Sequence, residues 1–146
     1  MPKNSDDYPS HDVDVVKVAV AVVLRDGKVL VGKRSTDAAL AGFDEFPGGK
    51  IEKHESPECA AVRECLEETG LSIEPDRQLQ VVEHQYDHAR VSVYFFLCTA
   101  VPAGSRLDAP QAPFRWVPVA ALRECRFPPA NDTVIQSLLE MTSETK

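Results

Sequence analysis

The chain has 146 residues, 43% of them apolar and 7% aromatic, which is enough to fill one core of ordinary size. Its 23 acidic residues outnumber 16 basic ones, giving a formal charge of −7, so the molecule as a whole repels phosphate chains and non-specific binding to a nucleic-acid polymer is excluded. A phosphorylated small molecule stays compatible with that field only where bound cations reverse the sign locally.

Met1 to Asp14 holds Ser, Asp, Pro and His without an apolar period and is expected to be a flexible arm, leaving residues 15–146 as the folded domain. The arm is too polar for a signal peptide, and no run approaches the roughly 20 apolar residues of a membrane span. A cytoplasmic protein without a membrane partner, a monomer or weak homodimer, is expected. Val15 to Leu24 (VVKVAVAVVL) is rich in β-branched residues, Asp26-Gly27 is a two-residue turn signal, and Lys28 to Gly32 runs back; together they predict a β-hairpin. Arg34 to Asp44 lacks alternation, and EFPGGKIE, with a proline and two glycines, must turn tightly.

Ser56-Pro57 supplies an N-cap and a first-turn proline, and Gly70 a stop, predicting a helix from Pro57 to Thr69. Val81 to His84 and Val91 to Cys98 predict a second antiparallel pair with its turn at Asp87 to Arg90, and Phe114 to Val117 a short strand. Val119 to Glu124 and Thr133 to Met141 carry helical patterning, the second after a Pro128-Pro129 break. This order predicts an α+β sandwich. The four cysteines, Cys59, Cys65, Cys98 and Cys125, contain no C-x-x-C pair and are expected to be reduced core thiols.

On the Pro57 to Thr69 helix, Glu64, Glu67 and Glu68 stand at i, i+3 and i+4 and so share one face. Cys59, Val62, Cys65, Leu66 and Thr69 are expected to meet the core from the opposite side. Three carboxylates this close repel one another unless a cation compensates, and oxygen donors suit magnesium or manganese, which share their remaining positions with water and phosphate. The triplet by itself is equally the pattern of a solvated helix surface.

The surrounding residues decide more. GGKIEKHESPECAAVRECLEETGL, from Gly48 to Leu71, resembles the Nudix box: Gly49, five residues, Glu55, seven residues, Arg63-Glu64, then Glu67-Glu68 and Gly70-Leu71. Cys65 stands where that family usually has an aliphatic residue, and a buried thiol is a small substitute. The resemblance implies a Nudix-type α/β/α sandwich with a mixed central sheet and hydrolysis of a nucleoside diphosphate linked to another group. It also implies that Glu64, Glu67 and Glu68 ligate the metal, that the Gly48 and Gly49 carbonyls lie beside it, and that Glu55 and Arg63 brace loop and helix. Water is a poor nucleophile at neutral pH, and a divalent ion lowers the pKa of a bound water. Glu64 would orient or deprotonate that water.

Beyond the box, FDEFPGGKIE and FPPANDTVI resemble the MutT-type members of the family, which cleave 8-oxo-dGTP at the β-phosphorus to a nucleoside monophosphate and pyrophosphate. The resemblance implies that Asn131 reads the purine edge, since an amide offers both a donor and an acceptor, and that Arg34 and Phe46 line the base pocket. The alternative for Asn131 is a cap on the last helix. Lys33 is expected either to meet phosphate or to be an ordinary surface base. MutT-type enzymes carry a catalytic carboxylate on the loop before the strand bearing Trp116; here Pro110 falls at that place, and Asp108, the nearest acid, is expected to substitute in a supporting role if the loop shifts by two residues. His84 and His88 are expected at the edge of the ligand cleft. Other nucleotides remain as alternatives, namely CTP, a dinucleoside polyphosphate or ADP-ribose. A non-catalytic nucleotide sensor would be expected to lack one of the helix carboxylates, and all are present.

Overall fold

Asp26 and Gly27 both adopt positive φ, 52° and 77°, the pair of left-handed residues that a tight hairpin turn requires. They fold β1 (Asp14–Arg25) back onto β2 (Lys28–Lys33), as the sequence predicts. The computed structural model describes residues 14–35, 41–85, 87, 89–102 and 109–144. Further along come β3 (Asp44–Glu45), β4 (Gly48–Lys50), α1 (Pro57–Thr69), β5 (Ile73–Gln85), β6 (Ala89–Ala100) and β7 (Arg115–Pro118). Two 3-10 turns, Val119–Glu124 and Pro129–Asn131, lead into α2 (Asp132–Glu144).

The strands form a mixed sheet in the order β3-β2-β1-β6-β5, with β7 on β2 and β4 on β1. One edge of β1 pairs in parallel with β6 from Asp14↔Ala89 to Leu24↔Thr99. Its other edge is shared: Val18 to Val20 pair with β4, and Leu24 and Arg25 with β2. Strand alternation then sends neighbouring residues of β1 to opposite faces. Ala19, Ala21 and Val23 join Leu30, Phe96 and Cys98 under α1, while Val20 and Val22 join Val29, Val31 and Phe95 under Val119, Leu122 and α2 residues Val134 and Leu138. Helices thus cover both faces, the expected α+β sandwich.

Three expectations need correction. The buried side of α1 is Ala60, Ala61, Cys65 and Thr69, whereas Cys59 is exposed and Leu66 is 49% exposed. Ala60 and Ala61 share one core with Ala19 and Ala21, and with that side of the helix inward Cys59 and Leu66 face outward. The second antiparallel pair is much longer than expected, because polar IEPDRQLQ is an exposed edge that continues through bulges at Pro75/Arg77 and Gln78/Gln80. The segment Val119–Glu124 winds as a 3-10 rather than an α-helix.

Candidate active site

The glycine loop belongs to the sheet. Ala21 N–H donates to the Pro47 carbonyl at 2.9 Å, Gly48 and Gly49 pair with Val20 and Ala19, and Ile51 N–H donates to the Lys17 carbonyl at 2.9 Å. Neither glycine tolerates a side chain. A Cβ on Gly48 would lie 2.5 Å from the Ala19 carbonyl oxygen, and one on Gly49 would fall on the Glu64 carboxyl group. Helix α1 is capped at both ends. Ser56 Oγ accepts from Cys59 N–H at 3.1 Å, and Gly70, at φ 81°, donates to the Leu66 carbonyl.

Arg63 ties the assembly together. Its Nε and Nη2 donate to the two Glu55 oxygens at 2.7 and 3.0 Å, and Nη2 also reaches the Lys50 carbonyl at 3.1 Å. Its Nη1 donates to Glu64 at 3.1 Å and lies 3.4 Å from Glu67. The fork on Glu55 is the bidentate geometry that a guanidinium provides and an ammonium does not. Those bonds, with a further one from Glu52 N–H at 2.9 Å, hold the Glu55 carboxyl down at about 2.

Glu68 accepts from Gly48 N–H at 3.1 Å. Burial pushes its carboxyl up to about 7, and the charges of Glu64 and Glu45 add to this against the pull of Gly48 N–H. Glu64 and Glu68 therefore meet at the glycine loop, where Arg63 pairs with Glu64 and no basic side chain offsets the burial of Glu68. Glu67 is more exposed, at 57%, and no three His, Cys, Asp or Glu side chains among the described residues are gathered into a closed ligand set. The donors present, two clustered carboxylates with the glycine-loop backbone beside them, suit a hard divalent cation. Glu64, Glu68 and the Gly48-Gly49 carbonyls are the groups that would hold it, with Glu67 one turn away.

On the other face of β1, a cavity of about 550 Å³ runs from Gly48 to Asn131. Phe46 forms one wall and is stacked on Phe127 at 4.7 Å, Val18 and Phe95 form the floor, and Arg34 and Glu45 line it as well. Asn131 does not cap α2 with its side-chain oxygen; its amide donates to the Pro128 carbonyl at 3.0 Å, which turns the residue toward the cavity. Lys33 lies elsewhere, 3.0 Å from Asp44. Asp44, 4% exposed, also accepts from Arg115 at 3.2 Å and from Arg126 N–H at 2.8 Å. Burial raises its carboxyl, but these donors outweigh burial and hold it below the ordinary value. His84 is exposed on β5. Asp108 and His88, and the arm before Asp14, lie outside the described residues.

Glu45, Asp44 and Phe127 escaped the sequence reading. Glu45 and Asp44 lie in a two-residue strand too short to show alternation, and Phe127 is coupled to Phe46 only through the fold.

The model of the NUDIX domain family matches residues 19–137. The chain belongs to the Nudix family. Within it, the 8-oxo-dGTP diphosphatase of Escherichia coli K12 is 32% identical over 124 residues, covering 84% of this chain and 95% of its own. A stretch of 57 residues is 44% identical to the CTP pyrophosphohydrolase of the same organism, covering 39% of this chain and 42% of that one. Among solved structures, the MutT protein from Methanosarcina mazei Go1 superposes with a TM-score of 0.73 at 22% identity, covering 90% of this chain and 97% of its own; that likeness is one of fold. The molecule is a MutT-type Nudix hydrolase.

Proposed function

We propose that this Nudix hydrolase is a magnesium-dependent nucleoside triphosphate pyrophosphohydrolase that converts 8-oxo-dGTP to 8-oxo-dGMP and pyrophosphate. The observation that carries the reading is a cavity that joins an amide, Asn131, to the glycine loop against which Glu64 and Glu68 stand. A purine between Phe46 and Asn131 would gain an aromatic wall and a mixed donor and acceptor at its edge. Its phosphate chain would then leave the cavity at Gly48, beside the carboxylates.

A divalent cation, magnesium or in its place manganese, supplies charge neutralisation for the phosphate oxygens and activation of water. Glu64, held by Arg63, orients water for in-line attack and takes its proton. The water oxygen bonds to the β-phosphorus as the bond from that phosphorus to the α–β bridging oxygen breaks. The bridging oxygen departs with the monophosphate, and the water oxygen stays in pyrophosphate.

The test is a panel of 8-oxo-deoxyguanosine, deoxyguanosine, cytidine and ADP-ribose substrates with magnesium, with phosphate and pyrophosphate distinguished. The expected result is pyrophosphate release with the highest kcat/KM for the oxidised purine. A preference for cytidine triphosphate, to whose hydrolase the 57-residue stretch is similar, would replace the substrate assignment. No turnover of any member would leave a binding protein.

A further inference from the structure

Lys17 of β1 and Lys53 and His54 of the loop before α1 line a cavity of about 330 Å³, with Tyr94 of β6 beside them. It lies across the sheet from the cavity that ends at Asn131, because Lys17 and Tyr94 alternate along their strands with Val18, Val93 and Phe95, which line the latter. The acids of the smaller cavity are already answered: Arg63 forks onto Glu55 at 2.7 Å and lies 3.9 Å from Glu52. Among the described residues Lys17, Lys53 and His54 form no ion pair or side-chain hydrogen bond. In a chain of net charge −7, bases are thus left unpaired in one cavity, and gathered bases repel one another unless an anion meets them.

His54 carries the argument further. Its φ is 67°, left-handed backbone that glycine adopts without cost and a side chain does not. A glycine would relax the loop, whereas the histidine sets an imidazole at the cavity. Two ammonium groups, an imidazole and a phenol can all donate, so the fitting ligand is a small anion rich in acceptors. A phosphate group presents more oxygens and more charge than a carboxylate does. Glu64 follows Pro57, which also lines the cavity, by seven residues, about 10 Å along the helix. We infer that this cavity is a second phosphate site, in which Lys17, Lys53, His54 and Tyr94 donate to the oxygens of free pyrophosphate or of the far end of a bound phosphate chain. Only the choice between these sources rests on the nucleotide reading proposed above.

The experiment titrates pyrophosphate calorimetrically, without added divalent cation so that the acidic helix does not hold it. Wild type is compared with the double variant Lys17→Gln/Lys53→Gln, with His54→Gly, and with Lys28→Gln, which removes a positive charge beside the other end of β1. Affinity is expected to fall about tenfold or more in the double variant, as when charged donors to one anion are lost. It is expected to fall several-fold in His54→Gly while the melting temperature holds, since glycine relieves the left-handed backbone. In Lys28→Gln it is expected to stay within about twofold, because exposed charges that far apart are screened. No binding by wild type, unchanged affinity in the double variant, or equal weakening in Lys28→Gln would overturn the inference. Turnover of deoxyguanosine triphosphate with magnesium in the double variant tells the two sources apart. A weaker inhibition by pyrophosphate with KM unchanged assigns the site to free pyrophosphate, and a raised KM assigns it to the end of the chain. If wild type does not turn over the nucleotide, the proposed function fails separately while the calorimetry still decides the site.

Discussion

Gly49 and Glu64 cannot both keep their places if the glycine gains a side chain, because its Cβ would occupy the glutamate carboxyl group. Gly48 is constrained differently, by the Ala19 carbonyl oxygen at 2.5 Å and Val20 Cα at 2.9 Å. The two substitutions should therefore fail in different ways. Gly49→Ala is expected to move Glu64 and lower kcat on the order of 100-fold, as a displacement of about 1 Å can, while the melting temperature changes little. Gly48→Ala forces backbone apart and is expected to cost about 2 kcal/mol of stability. Steady-state kinetics alongside thermal melts separate the two, and a fully active Gly49→Ala enzyme would contradict the placement of Glu64.

Asp44 links β3 to Lys33, to Arg115 on β7 and to Arg126 N–H. Asp44→Ala leaves these donors unmatched and is expected to destabilise the fold by about 2 kcal/mol, discounted because Lys33 and Arg115 are half exposed and can turn to water. The carboxyl of the folded protein lies below its ordinary value of 3.8, so the unfolded chain takes up its proton first as pH falls. The stability it contributes is present in full above 3.8 and is lost as pH drops through the lower folded value. Urea titrations across the acid range should show a steeper decline in wild type than in Asp44→Asn. Identical slopes would mean that the ion pairs contribute nothing.

The amide of Asn131 is already spent in part on the Pro128 carbonyl. Both Asn131→Ala and Asn131→Asp lose that bond, so each is expected to cost about 1 kcal/mol, and the aspartate should not rescue stability as a helix cap would. Preference for 8-oxoguanine over cytosine triphosphates is expected to fall about tenfold or more in both, because a purine group is left facing either nothing or a like acceptor. A stable Asn131→Asp enzyme with its base preference intact would remove Asn131 from the recognition site.

The parts of the fold legible in the sequence are those with strong local chemistry. The Asp26-Gly27 turn, the Ser56-Pro57 start and the Gly70 stop each fix a backbone conformation in a few residues, and the structure has all three. The parallel pairing of β1 with β6 left no local trace, since it joins residues 75 positions apart, as 89 − 14 and 99 − 24 give. The length of β5 was hidden by its polar exposed edge. At the site, the spacing of Glu64, Glu67 and Glu68 was visible, yet the different exposure of Glu67 was not, because it depends on where Arg63 draws it. Glu45 needed the cavity before its position had meaning.

The division of β1 between two partners gives the molecule a ruler. Val18 and Val20 point into the cavity floor, and Ala19 between them is paired with Gly49 on the helix side. The cavity and the acidic helix thus lie on opposite faces of the same strand, a relation fixed by strand alternation rather than by a loop. A one-residue slip of β1 would exchange its two faces, and with them the residues that face the cavity and those that face the acidic helix. Substitutions in the cavity walls at Phe46, Glu45 and Asn131 can therefore change what the cavity admits while β1 keeps its place against the acidic helix.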